Sequence, residues 1–169
     1  DTDGLDLAGA VKLPTRSFEC GGASDWRPIR TTETPDGEHG AVVGPVANGT
    51  NAWMQTTFAG YGSLTFAWKC SGEGRSDMLQ VVVDGVVRGS VGGTTEWATN
   101  VVEVLGEGDH VVRWIYRKGR SGSGGEFAAW LDGVMWRPTD PGELTLAKAL
   151  NENLYWLTDG DAEWTPKAA

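Results

Sequence analysis

Only two cysteines, Cys20 and Cys70, and two histidines, His39 and His110, occur in 169 residues. They follow no metal-binding spacing, so a zinc site is excluded as an organising element. Basic residues are also scarce: 14 Lys and Arg against 23 Asp and Glu leave a formal charge of −9 and a pI near 4.6. Nucleic acid is excluded as a partner class, because phosphate binding needs a cationic face that this chain can hardly assemble. The one basic cluster, Arg113, Arg117, Lys118 and Arg120, reads as a solvated strand end and loop. No apolar run is long enough to span a bilayer, so no membrane insertion is expected. No signal peptide remains at Asp1, and the chain begins like a mature or trimmed product. There is no Gly-x-Ser-x-Gly elbow. A nucleophile–His–acid arrangement would have to use His39 or His110, and His110 follows a Gly-rich turn, where a solvated edge residue is expected. We therefore expect no enzyme.

What the chain has in abundance is glycine, 25 residues, and tryptophan, nine, within a 40% hydrophobic composition. That is enough for a core, divided among short strands by tight turns. The clearest local signal is Ser76 to Val91, where Asp84-Gly85 separates two β-branched runs as a type I′ hairpin turn requires. Leu79, Val81 and Val83 share one face of its first arm and must be covered by a second layer. Further strands are expected at Arg16 to Cys20, Ala41 to Val43, Trp53 to Thr57, Ser63 to Cys70, Val101 to Leu105 and His110 to Lys118. A last pair is expected at Phe127 to Leu131 and Val134 to Trp136, turning at Asp132-Gly133. A short helix is expected around Leu5 to Val11, and Ile29 to Ala52 reads mainly as a surface excursion. The spacing predicts an all-β fold, a two-sheet antiparallel jelly-roll sandwich, over residues 1–137.

Residues 138–169 read as a linker, a short helix over Leu144 to Asn151 and a strand-like Leu154 to Thr158. This segment repeats the beginning of the chain. Leu5 to Pro28 and Leu144 to Pro166 share Leu-x-Leu-Ala-x-Ala-(Val/Leu), an aromatic before a glycine turn, and (Asp/Glu)-Trp-x-Pro, over spans that differ by one residue. The repeat implies a module followed by the leading edge of another. Leu154, Trp156 and Trp164 are then candidate assembly residues, seeking a neighbouring copy.

In order along the chain, SLTFAWKC, LQVVVDGVVRGSV, the Trp97 segment with its Gly-rich turn, and AAWLDGVMW resemble a recurring β-sandwich module of large exported bacterial surface proteins. The plan is similar to MAM-like and carbohydrate-binding-module jelly rolls. The resemblance implies an extracellular or cell-surface, non-catalytic unit used in adhesion or carbohydrate binding, or as a self-assembling structural repeat. A glycan or cell-surface ligand would need exposed aromatics, and Trp97 and Trp130 are the candidates, whereas Trp68 and Trp114 alternate with polar residues as core does. No cofactor is required, although Asp25, Glu126 and Asp132 could hold a structural calcium ion if loops bring them to one edge. The alternative is that Asp132 and Asp25 serve local turns. Cys20 and Cys70 lie at predicted strand ends, where the related pattern has other residues. In an exported protein a Cys20–Cys70 disulfide is expected, with two free half-buried thiols as the alternative.

Overall fold

A computed structural model describes residues 4–122 and 126–140. The predicted assembly segment with Leu154, Trp156 and Trp164 lies outside the described residues. The chain opens with helix α1 (Leu7–Ala10), then runs through β1 (Glu19–Gly22), β2 (Arg27–Arg30), β3 (His39–Val43), β4 (Asn51–Ala59) and β5 (Gly62–Ser71). It continues with β6 (Met78–Val83), β7 (Val86–Gly92), β8 (Ala98–Val104), β9 (Asp109–Arg117) and β10 (Ala128–Pro138). Two five-stranded sheets result, ordered β1-β4-β9-β6-β7 and β2-β3-β10-β5-β8, with every pairing antiparallel. The chain is an all-β jelly-roll sandwich.

Period-two alternation decides what fills the gap between the sheets. Met54 and Phe58 on β4, Leu64, Phe66 and Trp68 on β5, Leu79 and Val81 on β6, and Val112, Trp114 and Tyr116 on β9 all point inward and are buried. Phe66 meets both Trp68 and Trp114 nearly perpendicularly, at centroid distances of 5.2 and 5.6 Å. Each such pair adds about 1 kcal/mol to the burial of the rings. The Asp84-Gly85 turn has φ values of 51° and 82°, the two positive angles that a type I′ hairpin demands.

Lys118, read as part of a solvated basic cluster, is instead buried against Asp77, and four further expectations need correction. First, β2 overlaps the start of the predicted surface excursion: it is an edge strand of four residues, too short for visible alternation, and an edge tolerates its Pro28. Second, Asp132-Gly133 is no turn. β10 passes through it as one strand with a register shift between Asp132 and Met135, where Gly133 takes φ 58°. Third, His110 is buried rather than solvated, 8% exposed. Its Nδ1 meets Asp84 Oδ2 at 2.7 Å and its Nε2 meets the Gly106 carbonyl at 3.1 Å. Fourth, the expected disulfide does not form. Cys20 on β1 pairs with Met54 in one sheet, Cys70 on β5 pairs with Ala129 in the other, and both thiols are free. Burial pushes the Cys70 thiol up to about 11, which leaves it protonated and unreactive near neutrality.

Candidate ligand-binding face

The insertion of β10 between β3 and β5 builds the outer face of the second sheet. Ala129 and Leu131 point into the core, so Trp130 between them must point out, flanked by Val42 on β3 and Lys69 on β5. Trp97 reaches the same face from the connection between β7 and β8. That connection is latched to the end of β5: Thr95 N–H donates to the Cys70 carbonyl at 2.8 Å, and Thr95 Oγ1 accepts from Cys70 N–H at 3.1 Å. Thr94 Oγ1 adds a bond to the Gly72 carbonyl at 3.1 Å. Two Thr side chains thus hold Trp97 over the sheet.

Trp97 and Trp130 line one cleft of about 200 Å³, together with Ile29, Arg30, Glu33 and Lys69. A second cleft of about 490 Å³ adjoins it, lined by Arg27, Val42, Pro45 and Glu126 and sharing Ile29 and Trp130 as a common wall. Both indoles are half-buried. The Lys69 ammonium stands 5.2 Å from the centroid of the Trp130 ring. A ligand stacking there must displace that ammonium or take its hydrogen bonds. Among the described residues, Arg27, Arg30, Glu33 and Glu126 make no side-chain ion pair or hydrogen bond to another described side chain. Their donors and acceptors are available.

The outer face of the first sheet is built differently. The Arg113 guanidinium lies 4.3 Å from the centroid of Trp53 and donates to Gln55 Oε1 at 2.8 and 2.6 Å, while Gln55 Nε2 donates to Glu19 at 2.8 Å. Arg117 is bonded to Gln80 at 2.8 Å. A cleft of about 470 Å³ beside this network is lined mainly by Thr15, Arg16, Ser17, Glu19 and Gln55. Trp53 and Trp130 each carry a cation, but the polar groups around Trp53 are bonded to one another while Arg30 and Glu33 are not, so the Trp97–Trp130 face is the better-prepared surface.

The three proposed calcium ligands are not brought together. Asp25 is exposed in the turn before β2, and Glu126 is exposed beside Arg27 at the start of β10. Asp132 lies farther along β10 and is 1% exposed, accepting from Gly133 N–H at 2.6 Å. Burial, then the charge of Asp36, raise the Asp132 carboxyl above the usual range. Among the described residues, the group close enough to share an ion is Asp36, Glu38 and His39. The ammonium of Lys12 already fills that group, 2.5 Å from Asp36, 3.3 Å from Glu38 and 2.8 Å from His39 Nδ1. Burial alone would raise Asp36, but hydrogen bonds from Lys12, the Glu38 N–H and Thr34 outweigh it and hold the carboxyl well below the carboxylate range. The donors therefore fit an internal ammonium and do not fit calcium.

Sequence reading picked out Trp97 and Trp130 but not their polar company. Arg30 and Glu33 fall in the stretch read as a surface excursion, and Lys69 is one polar residue of an alternating strand. Pairing across β2, β3, β10 and β5 places them together, and no local signal announces it.

No protein-family model matches this sequence, and none of the curated proteins is similar to it. Among solved structures, TmCBM61, in complex with β-1,4-galactotriose, superposes with a TM-score of 0.51 at 12% identity, covering 79% of this chain and 94% of that one. The K1 cleaved adhesin domain of Lys-gingipain from Porphyromonas gingivalis gives 0.52 at 14% identity, over 73% and 91%. The secreted serine protease VesC from Vibrio cholerae gives 0.52 at 21% identity over 59% of this chain, which spans about a fifth (21%) of that protein. The fold is thus the jelly roll of carbohydrate-binding modules and adhesin domains. No helix among the described residues is long and apolar enough to cross a membrane.

Proposed function

We propose that this chain is a non-catalytic carbohydrate-binding or adhesive module of an exported bacterial surface protein, with the Trp97–Trp130 cleft as its glycan site. One observation carries the reading: two half-buried indoles from distant parts of the chain converge on one cleft with Arg30 and Glu33, whose side chains bond no other described side chain, and with Lys69 over the Trp130 ring. A sugar ring offers an apolar C–H face and a rim of hydroxyls. The indoles take the first, and Arg30, Glu33 and Lys69 take the second. The neighbouring cleft around Glu126 and Arg27 leaves room for a further sugar residue. The likeness in fold to a module solved with a galactotriose supports a glycan as the ligand class. The reading invokes no cofactor. A screen of immobilised oligosaccharides tests it, with the native, Trp130→Ala and Trp97→Ala chains compared at equal concentration. Retention of the native chain and loss of both variants supports the proposal, and equal behaviour of all three refutes it.

A further inference from the structure

Residues 5–28 form the leading edge of the sandwich and close both sheets. β1 pairs with β4 at the margin of one sheet, β2 pairs with β3 at the margin of the other, and Phe18 and Trp26 pack into the core between them. The structure gives reasons for the features that residues 144–166 repeat. Asp6 caps α1 by accepting the Gly9 N–H at 2.7 Å, and Thr145, at the matching place, is also a capping residue. Ala10 and Val11 are completely buried, and Ala149 and Leu150 match them. Lys12 is forced to φ 69°, and its counterpart is Asn151, a residue enriched several-fold in that region.

One residue is then deleted, after which Phe18 is matched by Trp156, Gly22 by Gly160 and Trp26 by Trp164. Gly22 has φ 101°, and a Cβ there would lie 2.3 Å from the Asn51 carbonyl oxygen, so only glycine fits. The repeat keeps it. Trp26 is 3% exposed and is kept as well. Leu154 falls at Arg16, whose guanidinium lies 5.2 Å from the Phe58 ring centroid, a place that an apolar side chain would also suit. Three places oppose the match: Leu13, packed against the core, has no apolar counterpart, Asn151 cannot make the ion pairs of Lys12 with Asp36 and Glu38, and Gly21 is not kept. Asp159 falls at Gly21, where a Cβ would come 2.5 Å from the Trp53 ring, so that half-exposed indole must swing aside.

Agreement at a cap, at two positive-φ positions and at a buried indole is more than two helix–strand junctions share by composition. We propose that residues 144–166 are a second leading edge, which supplies the β1 and β2 strands of another copy of this sandwich. In the intact sandwich those places are filled by residues 5–28, so the acceptor is a copy whose own leading edge has been displaced. The partner surface is the paired margin of β4 and β3 together with the socket that Trp26 fills here, so recognition is strand addition anchored by a tryptophan. This inference is independent of the glycan site, since it uses neither Trp97 nor Trp130.

The test is made in the full chain, with residues 5–28 replaced by a second copy of residues 144–166. A scrambled segment of the same composition serves as control. The graft is expected to melt cooperatively within ~15 °C of the native chain, and Trp→Ala at the grafted Trp164 is expected to lower its midpoint by about 10 °C or more. Trp53→Ala in the graft removes the clash with Asp159. A graft that folds no better than the scramble, with and without Trp53→Ala, overturns the proposal. Donation between copies is read by light scattering of the full chain carrying Gly22→Val, which loosens its own edge. Its mass is expected to rise with concentration, and Trp156→Ala with Trp164→Ala to abolish the rise. A monomer at every concentration, or association indifferent to the two tryptophans, overturns it.

Discussion

Replacing Asp77 by alanine should be among the most damaging single changes in this sandwich. Asp77 and Lys118 form an ion pair at 3.1 Å with both side chains fully buried. The carboxylate also accepts the Glu73 N–H at 2.6 Å and the Gly119 N–H at 2.7 Å. The Lys118 ammonium has further partners in the Ser121 carbonyl at 2.9 Å and the face of Phe127 at 4.0 Å. Asp77→Ala strands a buried cation and removes the acceptor of two backbone donors. Breaking a buried pair from one side costs about 3–5 kcal/mol. The N–H groups that water fails to reach add about 1 kcal/mol each. We therefore expect a loss of about 5 kcal/mol, seen in urea unfolding as a lower midpoint with unchanged slope, and as a fall of ~10–20 °C in the thermal midpoint. The double change Asp77→Leu with Lys118→Met should recover most of the loss, because it removes both charges. The acid limb follows from the same contacts. Burial raises the Asp77 carboxyl, but the N–H donors and Lys118 outweigh it, so its pKa is lowered. The contribution is present above about pH 4 and is lost as pH falls through the depressed value. A loss below about 1 kcal/mol, the size expected of a surface pair, would refute this reasoning.

His110 titrates in the opposite sense. Its hydrogen bond to Asp84 raises its pKa, burial opposes, and the Gly106 carbonyl and the charges of Asp84 and Asp109 add to the rise. Its contribution is full below about pH 6.5 and is lost as pH rises through the folded value. Urea midpoints at pH 6 and pH 9 should therefore differ more for the native chain than for His110→Gln, and equal differences would contradict the assignment. Phe66→Ala should cost about 3–5 kcal/mol by cavity formation and loss of two edge-to-face contacts, measured by urea unfolding. The intact mass of purified, oxygen-exposed chain should be that of two free thiols, with Cys70 labelled only after denaturation; a mass lower by one pair of hydrogens would contradict the free-thiol structure.

The fold was legible wherever alternation ran long enough. SLTFAWKC and HVVRWIYRK each expose a buried face by simple period two, and Asp84-Gly85 states its turn type outright. Legibility failed where tertiary contacts override local chemistry. Asp132-Gly133 carries the same dipeptide as the true hairpin, yet pairing with β5 on both sides of it carries the strand on through a register shift. His110 looks solvated beside its glycines until Asp84, 26 positions earlier, closes over it. Of the candidate site, the tryptophans could be named because exposed aromatics are informative. Arg30, Glu33 and Lys69 could not, because their roles depend on which strands become neighbours. Whether Asp25, Glu126 and Asp132 meet at one edge or serve local turns was open, because sequence carries no distance along a strand.

The most direct test of the glycan-site account is a tryptophan-fluorescence titration of the native chain with the oligosaccharide that retains it best on the glycan panel, set beside Trp97→Ala and Trp130→Ala. The account predicts saturable binding by the native chain and a loss of about tenfold or more in each variant, with thermal midpoints showing both still folded. Undiminished binding by both folded variants, or no binding to any glycan of the panel, would contradict it.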